Sequence, residues 1–258
     1  MSAAPSTPGL WTEDRILAPT ARALAERYGF ATLRNAPCTG FYLCLGTGGL
    51  ELREAGEQVP GPVRVDFASG MLAHRLRFGG GRGQPLARAA GMKSGHTPVI
   101  LDATAGLGRD ALVLASLGSR VILCERSAVL AALIQDGLQR AALDADIGVW
   151  IEQRMQLIFG DSVQLLRNLA EEQRPDVVYM DPMYPAGKTS VLVKKDMRAL
   201  QRLVGADSDS SALLESALGA ATRRVVVKRP RHADWVGGKK PSAAIESKKT
   251  RYDIYVTL

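Results

Sequence analysis

The stretch Val99-Ile-Leu-Asp-Ala-Thr-Ala-Gly-Leu-Gly-Arg-Asp110 passes from an apolar run through a glycine-bearing turn and leads straight into a second apolar run. A buried strand, a tight loop and a helix are expected in that order. Glycines in such a loop let the backbone turn and approach a ligand without a Cβ in the way, while the unpaired N–H groups of the following helix face the same loop. A ligand with nucleoside character fits there.

The loop holds Gly106 and Gly108 but carries Asp110 where a third glycine would complete a dinucleotide fingerprint. The strand ends in Asp102, an acid that repels phosphate and attracts an ammonium. Both features disfavour a pyrophosphate and favour S-adenosylmethionine (SAM), whose methionine part offers an ammonium. Asp102, Gly106 and Gly108 are therefore candidate cofactor residues.

Two further strand-helix steps follow. Ala111 to Leu117 has helical character ending at Gly118, and Arg120 to Glu125 is a buried-type strand that closes on an acid. A carboxylate at the end of the second strand can accept both ribose hydroxyls, so Glu125 is the candidate ribose ligand. Ser127 to Leu143 repeats apolar residues at helical spacing, a packing face. Gln156 to Phe159 reads as a third strand that leads into Asp161 and Ser162. There Asp161 can accept from an adenine amino group, cap the next helix, or do both, since a cap at a strand's carboxyl end lies on the ligand side of a parallel sheet.

At 258 residues the chain can bury a core as one large domain or as one domain with an appendage. No apolar stretch reaches the ~18 residues of a membrane span, and the N-terminus lacks a basic segment followed by an apolar one, so a cytoplasmic protein is expected. Cys38, Cys44 and Cys124 lack the paired spacing of a metal site and are expected as buried thiols, with no metal. Lys and Arg exceed Asp and Glu by 33 to 26, which points to a polyanionic partner.

Before the glycine loop, Glu13 to Tyr28 reads as a helix ended by Gly29. The runs Phe41–Leu45, Leu50–Arg53 and Val63–Phe67 read as short strands between Gly and Pro clusters. Ser69 to Gly83 then combines His74, Arg75, Arg77 and Arg82 with three consecutive glycines, a composition suited to touching phosphates or covering a cofactor. The expected organisation is a small N-terminal α+β subdomain over residues 1–90 and a parallel α/β domain over residues 91–258.

The sharpest chemical signal is Asp181-Pro-Met-Tyr-Pro185, directly after the strand-like run Asp176 to Met180. An exocyclic amine on a nucleobase is a poor nucleophile because its lone pair is delocalised into the ring. A carboxylate and a backbone carbonyl that accept its two hydrogens move the nitrogen towards a tetrahedral geometry. Asp181 and Pro182 offer those acceptors, and Tyr184 offers a face on which a base can stack. The motif is similar to the Asp/Asn-Pro-Pro-Tyr/Phe motif of amino-methyltransferases that act on nucleic-acid bases, with Met183 in place of the second proline.

Taken with DATAGLGRD, FGGGRG, LVKKDMR and RRVVVKRP, the sequence over about residues 63–258 resembles the ribosomal RNA small subunit methyltransferase J family. That resemblance implies a Rossmann-like class I SAM-dependent methyltransferase sheet. It also implies methylation of the N2 amine of a guanine in small-subunit (16S) ribosomal RNA, and a SAM site on Arg109, Asp110, Glu125, Arg126, Asp161, Ser162 and Asp181. The basic residues Lys188, Lys194, Lys195 and Arg198 after the motif, and Arg223, Arg224, Lys228, Arg229 and Arg231 around a fifth strand, suit an RNA partner, free or within the small ribosomal subunit. Lys239-Lys240 and Lys248-Lys249 bracket an excursion before Arg251 to Leu258, a closing strand beside the fifth. A DNA amino-methyltransferase and a non-catalytic RNA-binding assembly factor are the competing readings, the second opposed by the intact Asp181-Pro182 pair and glycine loop.

Overall fold

The computed structural model describes residues 7–57, 59–68, 81–183, 203 and 209–257. The main sheet contains β4 (Ile100–Asp102), β5 (Val121–Glu125), β6 (Met155–Phe159), β7 (Val177–Met180), β8 (Arg224–Pro230), β9 (Ala243–Glu246) and β10 (Thr250–Val256) in the spatial order β6-β5-β4-β7-β8-β10-β9. Strands β4 to β8 run parallel, while β10 is antiparallel to both β8 and β9. The chain therefore builds outward from β4 in one direction, then restarts at β7 on the other side. The carboxyl ends of β4 and β7 form the crevice where such sheets bind ligands.

Helices cover both faces, and the strand sequences show why. In β8, Val226 joins the core under α3 (Arg109–Ser116) and α4 (Ala128–Ala142), whereas Val225 and Val227 join the core under α6 (Ser162–Arg167) and α7 (Ser210–Ala220). Tyr179 and Val178 divide between the two cores in the same way on β7. A strand buried on both sides reads as an unbroken apolar run, as Val177–Met180 and Val225–Val227 do, whereas β6 at the sheet edge carries the exposed Gln156 and Phe159.

The N-terminal unit is a second sheet, ordered β1 (Leu10–Trp11), β2 (Gly40–Gly46), β3 (Gly49–Ala55), with α1 (Ala18–Tyr28) packed beside it. Gly29 ends α1 in the left-handed conformation at φ 72°, its N–H bonded to the Ala25 carbonyl. Val63 to Phe67, expected as a third strand of this region, makes only a bridge from Val63 to Leu52. Its alternation is explained differently: Val63, Val65 and Phe67 are buried by packing, with Val65 lying over Gly137 of α4 and Phe67 against Gly108. The Arg140 guanidinium on α4 donates to the Val65 carbonyl and ties this segment down. One hydrophobic core thus runs from Leu10 in the N-terminal sheet through α4 to Ile254 in β10.

Three local outcomes depart from the sequence expectations. The Lys239–Lys249 excursion returns as β9, a strand paired antiparallel to β10. A short helix, α5 (Gly148–Arg154), precedes β6. Cys44 and Cys124 are buried as expected, but Cys38 is exposed. The short helix α2 (Pro85–Ala89) precedes β4, with Arg82 just before it. Among the described residues, no helix is long and apolar enough to cross a membrane, and no group of three or more His, Cys, Asp or Glu could hold a metal ion.

Candidate active site

At the carboxyl ends of β4, β5 and β7 lies a cavity of about 400 Å³. Asp102, Gly106, Arg109, Asp110, Glu125, Arg126, Asp161, Ser162 and Asp181 all line it, so one crevice gathers residues dispersed over 80 positions of the chain, Asp102 to Asp181 inclusive. Gly108 does not line it. It caps α3 at φ 69°, and a Cβ there would sit 3.0 Å from Phe67, so this glycine serves close packing beneath the loop. Gly106, at φ 58°, meets little around it, and its requirement is the backbone conformation itself.

The glycine loop is pinned by hydrogen bonds from the neighbouring strand ends. The Gly106 N–H donates to Glu125 Oε2 at 2.9 Å and the Ser127 N–H donates to Oε1 at 2.7 Å, so Glu125 is buried with each carboxylate oxygen already oriented by the backbone. The Ser162 hydroxyl donates to the Ala103 carbonyl at 2.6 Å, so Ser162 helps fix the wall. Asp161 accepts the Gln164 N–H at 2.9 Å as the cap of α6 while also facing the cavity, and the two readings of this residue are compatible.

On the opposite wall the Asp181 N–H donates to the Thr104 hydroxyl at 2.6 Å, joining the two motifs directly. Asp110 Oδ2 accepts from the Tyr179 hydroxyl and from the Lys228 ammonium, both at 2.7 Å, and the same ammonium donates to Asp181 Oδ2 at 2.7 Å. At the rim, Arg126 and Asp209 form a 2.6 Å ion pair in which both side chains remain about two-fifths exposed.

This wall is strongly acidic. Burial, together with Asp110, Asp181 and Glu125, pushes the Asp102 carboxyl up to about 8, with the Thr104 N–H opposing the rise. Enclosure also raises Asp181, against the pull of Lys228. Burial alone would lower the Lys228 ammonium, but Asp181 and Asp110 outweigh it and hold the group firmly protonated. Among the described residues that line the cavity, Asp102, Asp110, Glu125, Asp161, Asp181 and Asp209 outnumber Arg109, Arg126 and Lys228, an excess of acid suited to a cationic ligand. SAM carries a sulfonium and an ammonium against one carboxylate, and Leu107, Leu130, Val163, Met183 and Leu213 supply an apolar lining for its adenosyl part. The residues present fit that group.

Comparison with known proteins agrees with this geometry. The family model described as "Putative SAM-dependent methyltransferase" matches residues 23–257. The chain is 54% identical over 244 residues to "Ribosomal RNA small subunit methyltransferase J" of Aeromonas hydrophila, covering 95% of this chain and 96% of the relative. The chain belongs to the ribosomal RNA small subunit methyltransferase J family. The relative of the same name from Vibrio vulnificus is 52% identical over 250 residues, covering 95% of both chains. The crystal structure of a SAM-dependent methyltransferase from Neisseria gonorrhoeae superposes with a TM-score of 0.78 at 34% identity, covering 96% of this chain and 95% of that one. The sheet is accordingly the Rossmann-like class I methyltransferase sheet, and SAM is the cofactor of the enzyme family.

Two of the expected RNA-facing cations take other positions in this enzyme. Lys228 lies inside the acidic cavity between two carboxylates, and Arg229 is only 6% exposed, donating to the Asp234 carbonyl at 2.8 Å. Their placement on a phosphate-facing surface is corrected, for Lys228 by its two carboxylate partners in the cavity and for Arg229 by burial. Arg82 is more open, yet its guanidinium donates to the Lys93 and Leu117 carbonyls at 2.6 and 3.1 Å, tying the loop before α2 to the end of α3. Tyr184, His74, Arg75, Arg77, Lys188, Lys194, Lys195 and Arg198 lie outside the described residues. Thr104 and Tyr179 are further residues of this site that the sequence pattern does not single out, because their partners Asp181 and Asp110 come into reach only through the pairing of β4 with β7 and the placement of α3.

Proposed function

We propose that the chain transfers the methyl group of SAM to the exocyclic N2 amine of a guanine in small-subunit ribosomal RNA. The observation that carries this reading is the placement of Asp181 at the end of β7, locked to the glycine loop through Thr104 and lining the acidic cavity, with the buried Pro182 directly behind it. Membership of the ribosomal RNA small subunit methyltransferase J family supports the RNA substrate.

When bound, SAM supplies a methyl group made electrophilic by its sulfonium. Glu125 would hold the ribose hydroxyls, its two oxygens kept in place by the Gly106 and Ser127 N–H groups. Asp102 would meet the methionine ammonium, and Asp161 the adenine edge. Asp181 has Oδ2 held by Lys228, and its Oδ1 would accept from the substrate amine, with the Pro182 carbonyl as the second acceptor. These two acceptors reduce delocalisation of the amine lone pair into the guanine ring, the electrostatic part of catalysis. Tyr184 supplies a stacking face for the base. The basic residues after the motif, Lys188, Lys194, Lys195 and Arg198, together with Arg75, Arg77 and Arg82, neutralise phosphates.

The experiment is methyl transfer from labelled SAM to small-subunit RNA and to assembled small subunits that lack the modification, followed by nuclease digestion and mass analysis of nucleosides. N2-methylguanosine is expected. Methylated DNA alone, or binding without transfer, would overturn the reading in favour of a DNA amino-methyltransferase or an assembly factor respectively.

A further inference from the structure

Lys228 reads in the sequence as one cation in the basic run Lys228-Arg-Pro-Arg231, but register gives it different neighbours. Strands β7 and β8 are parallel, with Tyr179 level with Val226 and Met180 level with Val227, so the next pair along is Asp181 and Lys228. Because side chains alternate, Tyr179, Asp181, Val226 and Lys228 share the face of the sheet that α3 covers. Asp110, in the first turn of α3, completes the group. The result is a chain Tyr179–Asp110–Lys228–Asp181 in which each contact is 2.7 Å.

We propose that Lys228 is a positioning residue for methyl transfer: its ammonium, shared between Asp110 and Asp181, fixes the Asp181 carboxylate as an ionised acceptor for the substrate amine. The inference rests on the reading of Asp181 as that acceptor. Without the ammonium, Asp110 and Asp181 would face each other as close like charges; Asp110 keeps the Tyr179 hydroxyl as a donor, so Asp181 is the acid that takes up a proton. A protonated Asp181 has lost part of its capacity to accept. Besides Lys228, the groups facing this carboxylate or its partners are Asp110 from α3, Asp102 from β4, Tyr179 from β7, Arg229 from β8 and Tyr252 from β10. Lys228 touches both acids, at 2.7 Å each.

The test compares Lys228→Met and Lys228→Arg with the wild type by two readouts. The first is the carboxyl ¹³C titration of Asp181 in the full chain without RNA, its signal assigned by loss in Asp181→Asn. Lys228→Met is expected to raise the Asp181 midpoint by ~1–3 units, the scale of removing one adjacent opposite charge, and Lys228→Arg to leave it near the wild-type value. The second is single-turnover methyl transfer with SAM and RNA saturating. Lys228→Met is expected to be slowed ~10-fold or more near neutral pH and to regain rate as pH rises, and Lys228→Arg to retain most of the rate. An unmoved Asp181 midpoint in Lys228→Met overturns the inference. So does a rate loss equal at every pH, the mark of a purely structural role, or a reduced salt slope of RNA binding with unaltered transfer, the mark of a phosphate contact. If the wild type moves no methyl group to RNA, the substrate reading fails on its own, while the titration still decides the part played by Lys228.

Discussion

The backbone N–H of Asp181 donates to the side-chain hydroxyl of Thr104 at 2.6 Å, so the glycine loop after β4 and the Asp181 motif after β7 are joined by one hydrogen bond. Thr104→Val conserves shape but leaves the Asp181 N–H without its acceptor. Stability should fall by about 0.5–1.5 kcal/mol, the scale of one lost hydrogen bond at a half-buried site. Turnover should fall ~10-fold or more, because the reacting groups lose their relative placement. Thr104→Ser should behave nearly as the wild type. Urea unfolding and single-turnover transfer measure the two effects separately, and equal transfer rates for valine and threonine would show that this bond does not align the site.

Glu125 offers a second test of the same loop. Glu125→Ala removes the proposed ribose acceptor and the partner of the Gly106 and Ser127 N–H groups together. SAM affinity should drop by about 1.5–3 kcal/mol, the scale for hydrogen bonds to a charged group. Glu125→Gln keeps one accepting oxygen and loses the other, so it should fall between alanine and wild type. Calorimetric titration with SAM is the measurement, and an unchanged affinity for the alanine variant would remove Glu125 from the cofactor site.

Much of this arrangement is legible in the sequence, for identifiable reasons. Parallel strands buried on both faces read as short apolar runs, and three of them lead directly into an acid, Asp102, Glu125 or Asp181, at the ligand side of the sheet. Lys228 and Arg229 were not legible because their surroundings depend on strand register, which composition does not carry; a basic run looks the same whether it faces phosphates or carboxylates. Val63 to Phe67 misleads for a related reason. Alternating burial is required equally by a hydrogen-bonded strand and by an extended segment lying across a helix, and here α4 supplies the second environment.

That crossing yields a stability prediction. Gly137 lies inside α4, where alanine would ordinarily stabilise by about 1 kcal/mol. A Cβ there would sit 2.5 Å from Val65 Cγ1, 3.0 Å from Val65 Cβ and 3.1 Å from the Val65 carbonyl oxygen, with no flexible chain end to yield. Overpacking of this kind costs about 1–3 kcal/mol, so Gly137→Ala should be destabilising on balance. Urea unfolding measures it, and a stabilised variant would show that the segment from Val63 to Phe67 is not held against α4.

Asp102 predicts how stability depends on pH. Its carboxyl is raised from 3.8 to about 8 in the folded chain. Between those values the folded state holds a proton that the unfolded state has released. The contribution of Asp102 to stability is therefore greatest below about 4, declines as pH rises through this window, and levels off above about 8. Asp102→Asn should flatten that part of the profile in thermal unfolding without SAM. A wild-type slope preserved in Asp102→Asn would assign the dependence to other groups.

Asp181 gives the most discriminating prediction because two roles converge on it. As the acceptor for the amine, it contributes most when the nitrogen attacks, so Asp181→Ala should lower turnover at saturating RNA and SAM by ~10²–10³, the scale for loss of one preorganised partner of a transition state. As a member of the acidic wall, it also favours the cationic cofactor, and SAM affinity should fall by no more than about 1.4 kcal/mol, or tenfold. Asp181→Asn keeps an oxygen that can accept from the amine or from Lys228, but it removes the charge that Lys228 shares with Asp110. It should therefore transfer methyl faster than alanine and slower than the wild type. Single-turnover rates under saturation separate transfer from binding. Equal rates for alanine and wild type would reduce Asp181 to a cofactor ligand and remove the basis for amine activation at this site.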